Sequence, residues 1–230
     1  MTARRRPRPV SESVDNYLKA ILALGGQEEN RVSSTALSAR LNVAPASVTN
    51  MLQKLAAEKP PLVKYERHRG VLLSAAGRRR ALEVLRHHRL IETFLYDVLD
   101  YPLEEVHDEA ERLEHFISEQ FEERIAAKLG HPMLDPHGHW IPTMDGKMPK
   151  EHSIPLTEIL LPGILIVDSI SDYSAATLKK LKASGIAPGV HLNVRSWNAK
   201  RGYAVSIGDS ENIFKLSREF ANAIRIHAAL

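Results

Sequence analysis

Four side chains close together in the sequence, His107, Glu111, Glu114 and His115, are of the types that bind divalent metal ions. The stretch around them, residues 106–129, holds no Pro or Gly and is rich in Glu, Ala, Leu and Arg, which predicts one continuous helix. At 100° per residue the four point to roughly 0°, 40°, 340° and 80°, so two imidazoles and two carboxylates share about a quarter turn. The apolar face (Val106, Ala110, Leu113, Phe116, Ile117, Phe121) begins at the edge of that arc. Nitrogen and oxygen donors fixed on a rigid element beside a core are what a divalent ion needs. The alternative is a solvated acidic face with two incidental histidines. A second helical stretch, residues 75–99, carries His88 and Glu92 on one face by their i, i+4 spacing. Two neighbouring helices that each offer His and Glu can build a closed site.

Composition limits the chemistry. The absence of Cys excludes disulfides and thiolate ligands and makes any metal site one of nitrogen and oxygen donors. A length of 230 residues predicts one large or two to three small domains. No apolar run approaches the length of a membrane span, and the basic start has no hydrophobic segment behind it, so a cytoplasmic protein is expected. The net charge of +3 conceals an asymmetry: residues 1–90 carry +10, residues 91–130 carry −9 and residues 131–230 carry +2. A basic head is the footprint of a nucleic-acid partner. The acidic segment is the one that holds the candidate ligands, as a cation site requires.

The elements that position these residues can be taken in order. Residues 1–10 form a basic, Pro-rich arm of the kind that meets DNA phosphate or the minor groove, or is simply solvated. Residues 11–24 predict a helix capped by Ser11 or Ser13, striped by Val14, Leu18, Ile21 and Leu24, and ended by Gly25-Gly26. Ser33 or Ser34 caps a short helix to Leu41. After a tight turn, Pro45 opens a second helix that runs to about Glu58. This is a helix-turn-helix, with Val48, Leu52 and Leu55 inward and Ala46, Ser47, Thr49, Asn50 and Lys54 outward toward base edges. Two short strands, residues 62–66 and 71–73, flank a basic tip, Arg67-His68-Arg69-Gly70, which completes a winged helix with Arg67 and Arg69 placed for phosphate. Leu95, Tyr96, Phe116 and Phe121 are expected to remain exposed on the ligand helices and to form a homodimer interface. Residues 130–155 read as a loop-like boundary, where His131, His137 and His139 lack an ordered element to hold them. Residues 156–230 predict many short strands, with a hairpin around Asn198-Ala199-Lys200-Arg201, and suggest a small barrel of SH3 type without a catalytic constellation.

The chain resembles the DtxR/MntR family of metal-dependent transcriptional repressors over essentially its whole length. The motifs that carry the resemblance are Ser47-Val48-Thr49, the wing segment Arg69-Gly70-Val71-Leu72-Leu73-Ser74-Ala75-Ala76-Gly77, His88-Arg89-Leu90-Ile91-Glu92, the run Val106-His107-Asp108-Glu109-Ala110-Glu111-Arg112-Leu113-Glu114-His115, and Asp135-Pro136-His137-Gly138. The resemblance implies a mainly α protein with small β parts. Its expected domains are a winged helix-turn-helix DNA-binding domain at residues 1–74, a helical dimerisation and metal-binding domain at 75–145, a linker at 146–155, and an SH3-like (FeoA-like) domain at 156–230. It implies a primary metal site of Asn16, Glu111, Glu114 and His115, an ancillary site of His88, Glu92 and His107, and DNA contacts from Ser47, Thr49, Asn50, Lys54, Arg67 and Arg69. It implies further that metal binding to a homodimer enables operator DNA binding and represses metal-uptake genes.

The chain departs from the family pattern in three places. Asn16 offers a neutral carbonyl oxygen where the family has Met or Asp. Lys19 stands where manganese-type members place a second carboxylate, which blocks their two-metal arrangement. The SH3-like part lacks a Glu-x-x-Gln pair near residues 171–174, leaving Asp172 as the nearest carboxylate. Glu111 replaces the Cys of iron-type members with a hard ligand, which favours Mn(II), with Fe(II) second. No small organic substrate and no membrane partner are expected. Two alternatives stay open at this stage. A metallohydrolase would use the His/Glu cluster to activate water but leaves the basic head unexplained, and a metal-independent DNA-binding protein would carry a vestigial site.

Overall fold

A computed structural model of the chain describes residues 12–26, 30–149, 152–171 and 174–228. The basic arm, the Ser11 cap and Asp172 lie outside the described residues. The chain divides into two compact units, one of Met1–His88, Glu111–Glu123 and Pro142–Met148, the other of Arg89–Ala110, Arg124–Ile141 and Pro149–Leu230.

The first unit is built on a winged helix. Helix α1 (Glu12–Gly25) buries Val14, Leu18 and Ile21, but Leu24, expected on the same stripe, is exposed in the last turn. Gly26 then takes a positive φ and donates its N–H to the Leu22 carbonyl, which ends the helix. Helix α2 (Ser34–Leu41) is capped by Ser33, whose side chain accepts from the Ala36 N–H, and Asn42 at φ 52° turns the chain. Helix α3 (Pro45–Ala57) starts on its proline and buries Val48, Leu52 and Leu55 completely. Strands β1 (Val63–Glu66) and β2 (Gly70–Leu73) pair antiparallel, Val63 opposite Leu73 and Glu66 opposite Gly70. Val32 bridges to Val71 and ties the helices to the wing.

Helix α4 (Ala75–Leu99) follows without interruption from the wing. The expected single ligand helix is instead two, α5 (Val106–Leu113) and α6 (Glu119–Lys128). Residues 114–118 form a turn in which the Phe116 N–H bonds the Leu113 carbonyl. Ser118 then restarts the helix: its hydroxyl accepts from Phe121 N–H and its carbonyl from Glu122 N–H. An N-cap serine inside a stretch of good helix formers is the local signal that overrides propensity. Glu114 and His115 therefore project from a turn, and the helical arc applies to His107 and Glu111 alone. Leu95, expected exposed, is buried at 4 %, whereas Phe116 is 73 % and Phe121 50 % exposed.

The second unit holds an antiparallel six-stranded sheet in the order β3-β8-β4-β5-β6-β7. Its strands are β3 (Ile154–Pro155), β4 (Gly163–Ile170), β5 (His191–Asn198), β6 (Gly202–Ile207), β7 (Phe214–Leu216) and β8 (Ile224–Ala228). Helices α7 (Ala175–Ala183) and α8 (Arg218–Ala223) are capped by Ser174 and Ser217. The core contains Leu156, Val167, Ile170, Leu178, Leu181, Leu192, Val205 and Ile226. The β5–β6 hairpin matches the sequence expectation, and its register shifts by a bulge between Val194 and Ser196. The unit has a second, smaller core of Leu90, Ile125, Ala126 and Ile141.

Gly77 fixes the junction of wing and α4, because a Cβ built there would lie 1.9 Å from the Leu62 carbonyl oxygen. Backbone cannot yield as a side-chain tip can. Gly77→Ala is expected to destabilise the protein by about 3 kcal/mol, the upper part of the overpacking range. Gly163→Ala, with open space around it, should stay within about 0.5 kcal/mol of wild type. Urea unfolding of both variants measures the difference.

Candidate metal centre

The central side chain is Glu114, whose carboxylate has no exposed surface. Three nitrogen-bearing side chains converge on it. The Lys19 ammonium of α1 lies 2.6 Å from Oε1 and 2.7 Å from Oε2, His88 Nδ1 lies 2.6 Å from Oε2, and His115 Nε2 lies 3.2 Å from Oε1. The same ammonium is 2.8 Å from Glu111 Oε2. Donor atoms of His88, Glu111 and Glu114 all lie within 4.8 Å of one another. The residues fit a hard divalent cation: two carboxylates and an imidazole are gathered, one carboxylate is fully desolvated, and Asn16 Oδ1 is buried with no hydrogen-bond partner. Asn16 is three residues before Lys19 on α1, so the two share a face.

Buried ion pairs hold this cluster. His115 Nδ1 lies 3.5 Å from Asp15 Oδ2, and Arg80 Nε lies 2.6 Å from Asp15 Oδ1. Burial alone would push the Asp15 carboxyl up, but the close approach of His115 and the hydrogen bond from Arg80 outweigh it and keep it below the usual range. His87 bonds the Glu114 carbonyl through Nδ1 at 3.1 Å and Glu122 Oε2 through Nε2 at 3.0 Å. Both ring nitrogens face acceptors, so the imidazolium form is favoured. Burial opposes that charge, and the Glu122 contact overcomes it and raises the His87 pKa. Arg86 also pairs with Glu122 and donates to the Pro142 carbonyl at 2.8 Å. The backbone of the Glu114 turn is thus anchored by charge-assisted bonds.

The sequence reading grouped His88 with Glu92 and His107. The structure brings donor atoms of His88, Glu92 and His107 within 4.8 Å of one another, with His107 Nδ1 3.1 Å from Glu92 Oε1, while His88 Nδ1 also meets Glu114. It also gathers Glu92, Asp135 and His137, all buried, within 4.8 Å. His137 was read as part of an unstructured loop. It is ordered because Asp135 Oδ1 accepts from the N–H groups of His137 and His139, a local turn that an Asp two residues upstream signals. Arg89 Nε at 3.4 Å places a positive charge against Asp135. This second group therefore reads as a compensated network. Asp15, Arg80 and His87 escaped the sequence reading because their partners are remote in the chain.

The residues expected to face DNA lie on α3 and at the wing tip. Ser47, Asn50 and Lys54 are exposed on α3, Thr49 is half-buried, and Arg67 and Arg69 are exposed at the wing tip. A concave surface of about 410 Å³ lies between α3 and the wing, lined by Arg31, Ser33, Thr49, Tyr65, Arg67 and Arg69 among others. Two of its arginines share one carboxylate: Arg69 Nη1 donates to Glu66 at 3.0 Å, and Arg31, which sequence reasoning missed, pairs with the same group. Hydrogen bonding to Arg31 keeps the Glu66 carboxyl below its ordinary range, so it stays ionised and holds both guanidinium groups. Two outcomes are expected in fluorescence anisotropy with duplex DNA across a salt series. Arg67→Ala lowers the magnitude of the log–log salt slope by about 0.9, one phosphate contact. Glu66→Gln tightens binding at every salt concentration, because it frees two arginines.

Family comparison matches these regions in order. The iron dependent repressor N-terminal DNA binding domain covers residues 10–71, the iron dependent repressor metal binding and dimerisation domain covers 74–143, and the FeoA domain covers 154–228. The fold is similar to that of a manganese-dependent transcriptional repressor in complex with manganese (TM-score 0.85, 34 % identity, 94 % of this chain and 100 % of that chain). It is also similar to the apo form of the manganese-activated repressor ScaR (TM-score 0.76, 30 % identity, 93 % and 100 % covered). In sequence, the iron-dependent repressor IdeR of Mycobacterium leprae is 28 % identical over 228 residues, 94 % of this chain and 96 % of that protein. A winged helix, a buried His/Glu cluster and an SH3-like sheet, matched in this order, show that the chain belongs to the DtxR/MntR family of metal-dependent transcriptional repressors.

Proposed function

We propose that the chain is a manganese-responsive repressor that binds operator DNA as a homodimer in the cytoplasm, with Fe(II) as its second ion. The observation that carries the choice of metal is the Glu111–Glu114 carboxylate pair, linked through one cation, in a protein with no Cys. Hard oxygen donors suit Mn(II) better than softer ions, and intracellular availability sets the rest of the choice. The similarity to a manganese-loaded repressor supports the same reading, and the IdeR relatives support iron as the alternative.

In this reading Glu111, Glu114 and His115 hold the ion with Asn16 from α1, and His88 faces the same carboxylates. His88, Glu92 and His107 form the ancillary position. Ser47, Thr49, Asn50 and Lys54 read bases, while Arg31, Arg67 and Arg69 meet phosphate. The exposed Phe116 and Phe121, with Leu113, supply an apolar face for the dimer. No helix among the described residues is long and apolar enough to cross a membrane. Because α1 belongs to the DNA-binding head and Glu111 and Glu114 to the ligand segment, an ion bound by both fixes the head. In a two-fold dimer that fixes the spacing of two recognition helices against half-sites about 34–36 Å apart.

The test is an operator gel shift with and without Mn(II). Glu114→Gln and His115→Ala are expected to lose metal-stimulated binding by a hundredfold or more (about 2.7 kcal/mol) while retaining weak, salt-sensitive binding through the basic head. Wild-type operator binding by either variant, with and without metal, overturns the reading.

A further inference from the structure

Lys19 is the one feature of the cluster that a metal site does not ask for. Its ammonium touches Glu111 Oε2 and both oxygens of Glu114 at 2.6–2.8 Å, and its side chain is only 16 % exposed. The Glu114 carboxylate is wholly buried and accepts from His88 as well. The oxygen atoms that would ligate an ion are thus already satisfied by an internal cation. A carboxylate edge shared by two cations places like charges side by side, which low dielectric makes unfavourable.

We propose that the Lys19 ammonium is a built-in competitor for the Glu111 and Glu114 carboxylates, which a divalent ion must displace, so that Lys19 sets the metal concentration at which this repressor responds. The proposal rests on the metal-site reading above. Lys19 does two things in the metal-free protein. It neutralises a desolvated carboxylate that would otherwise destabilise the fold, and it ties α1 to the Glu111–Glu114 segment. A divalent ion takes over both tasks with twice the charge. The observed affinity is then the intrinsic affinity of the carboxylates reduced by the free energy of breaking the lysine contacts, as for any ligand that meets an occupied site. Weakly bound ions present at high concentration are thereby kept from engaging the repressor.

The test compares wild type, Lys19→Met, Lys19→Gln and Glu114→Gln. Mn(II) affinity is read from the free-ion signal in electron paramagnetic resonance, and stability from thermal melting with and without Mn(II). Lys19→Met and Lys19→Gln are each expected to bind Mn(II) about tenfold or more tightly than wild type. The metal-free variants should melt lower by roughly 5 °C, with a larger rise on adding Mn(II). A gain of affinity cannot come from general damage to the fold, and Lys19→Gln keeps a hydrogen-bond donor in case Lys19→Met folds poorly. If both lysine variants bind Mn(II) no more tightly than wild type while Glu114→Gln loses binding, the competitor proposal is overturned and the ammonium stays beside the ion. If Glu114→Gln binds Mn(II) as wild type does, the metal-site reading itself fails.

Discussion

A carboxylate with no exposed surface has to be matched by positive charge, and Glu114 imposes that demand on everything around it. The structure meets it with the Lys19 ammonium of α1, and sets His88 of α4 and His115 of the turn beside the same carboxylate. A second ring of charge pairs holds those partners: Asp15 between Arg80 and His115, and Glu122 between Arg86 and His87. These pairs are specific rather than strongly stabilising, since buried ion pairs recover little beyond their desolvation cost. What they fix is geometry. The segment that holds Glu111 and Glu114 can meet α1 in only one way that leaves no charge unmatched.

This arrangement connects metal to DNA without a long pathway. Asp15, Asn16 and Lys19 lie on α1, the same helix whose Val14, Leu18 and Ile21 enter the core shared with Val48, Leu52 and Leu55 of α3. A change in what cation sits against Glu114 acts directly on a helix packed into the winged-helix core. The wing carries its own restraint in Glu66, which pairs with both Arg31 and Arg69. In the proposed reading both sites keep their binding groups internally paired, so each ligand would have to outcompete a contact already made. Such pairing trades affinity for discrimination.

Local rules made the winged helix legible. The Ser33 cap, the Asn42 turn, Pro45 at the start of α3 and the Arg67–Gly70 tip all stand where short-range chemistry put them. Five strands of the SH3-like sheet were equally legible, because turn residues separate alternating apolar runs, but β3 (Ile154–Pro155) fell in the stretch read as a loop. The break at residues 114–118 was not, because helix propensity there is high and only the side chain of Ser118 opposes it. Leu95 was misplaced on the surface because a stripe on an isolated helix does not show what the rest of the fold covers. Within the site, the ligand types were readable from spacing, but the occupancy of Glu111 and Glu114 by Lys19 depends on a contact across more than ninety residues. The order of the loop around His137 depends likewise on Asp135 folding back on its own backbone.

The central claim is that metal and operator act on one equilibrium through α1, and thermodynamic linkage tests it most directly. Mn(II) affinity should be measured for the protein alone and for its complex with operator DNA, and operator affinity with and without Mn(II). The account predicts that operator DNA tightens Mn(II) binding by the same factor by which Mn(II) tightens operator binding, a coupling of about 1–3 kcal/mol. Equal Mn(II) affinity in the free and DNA-bound protein would contradict it.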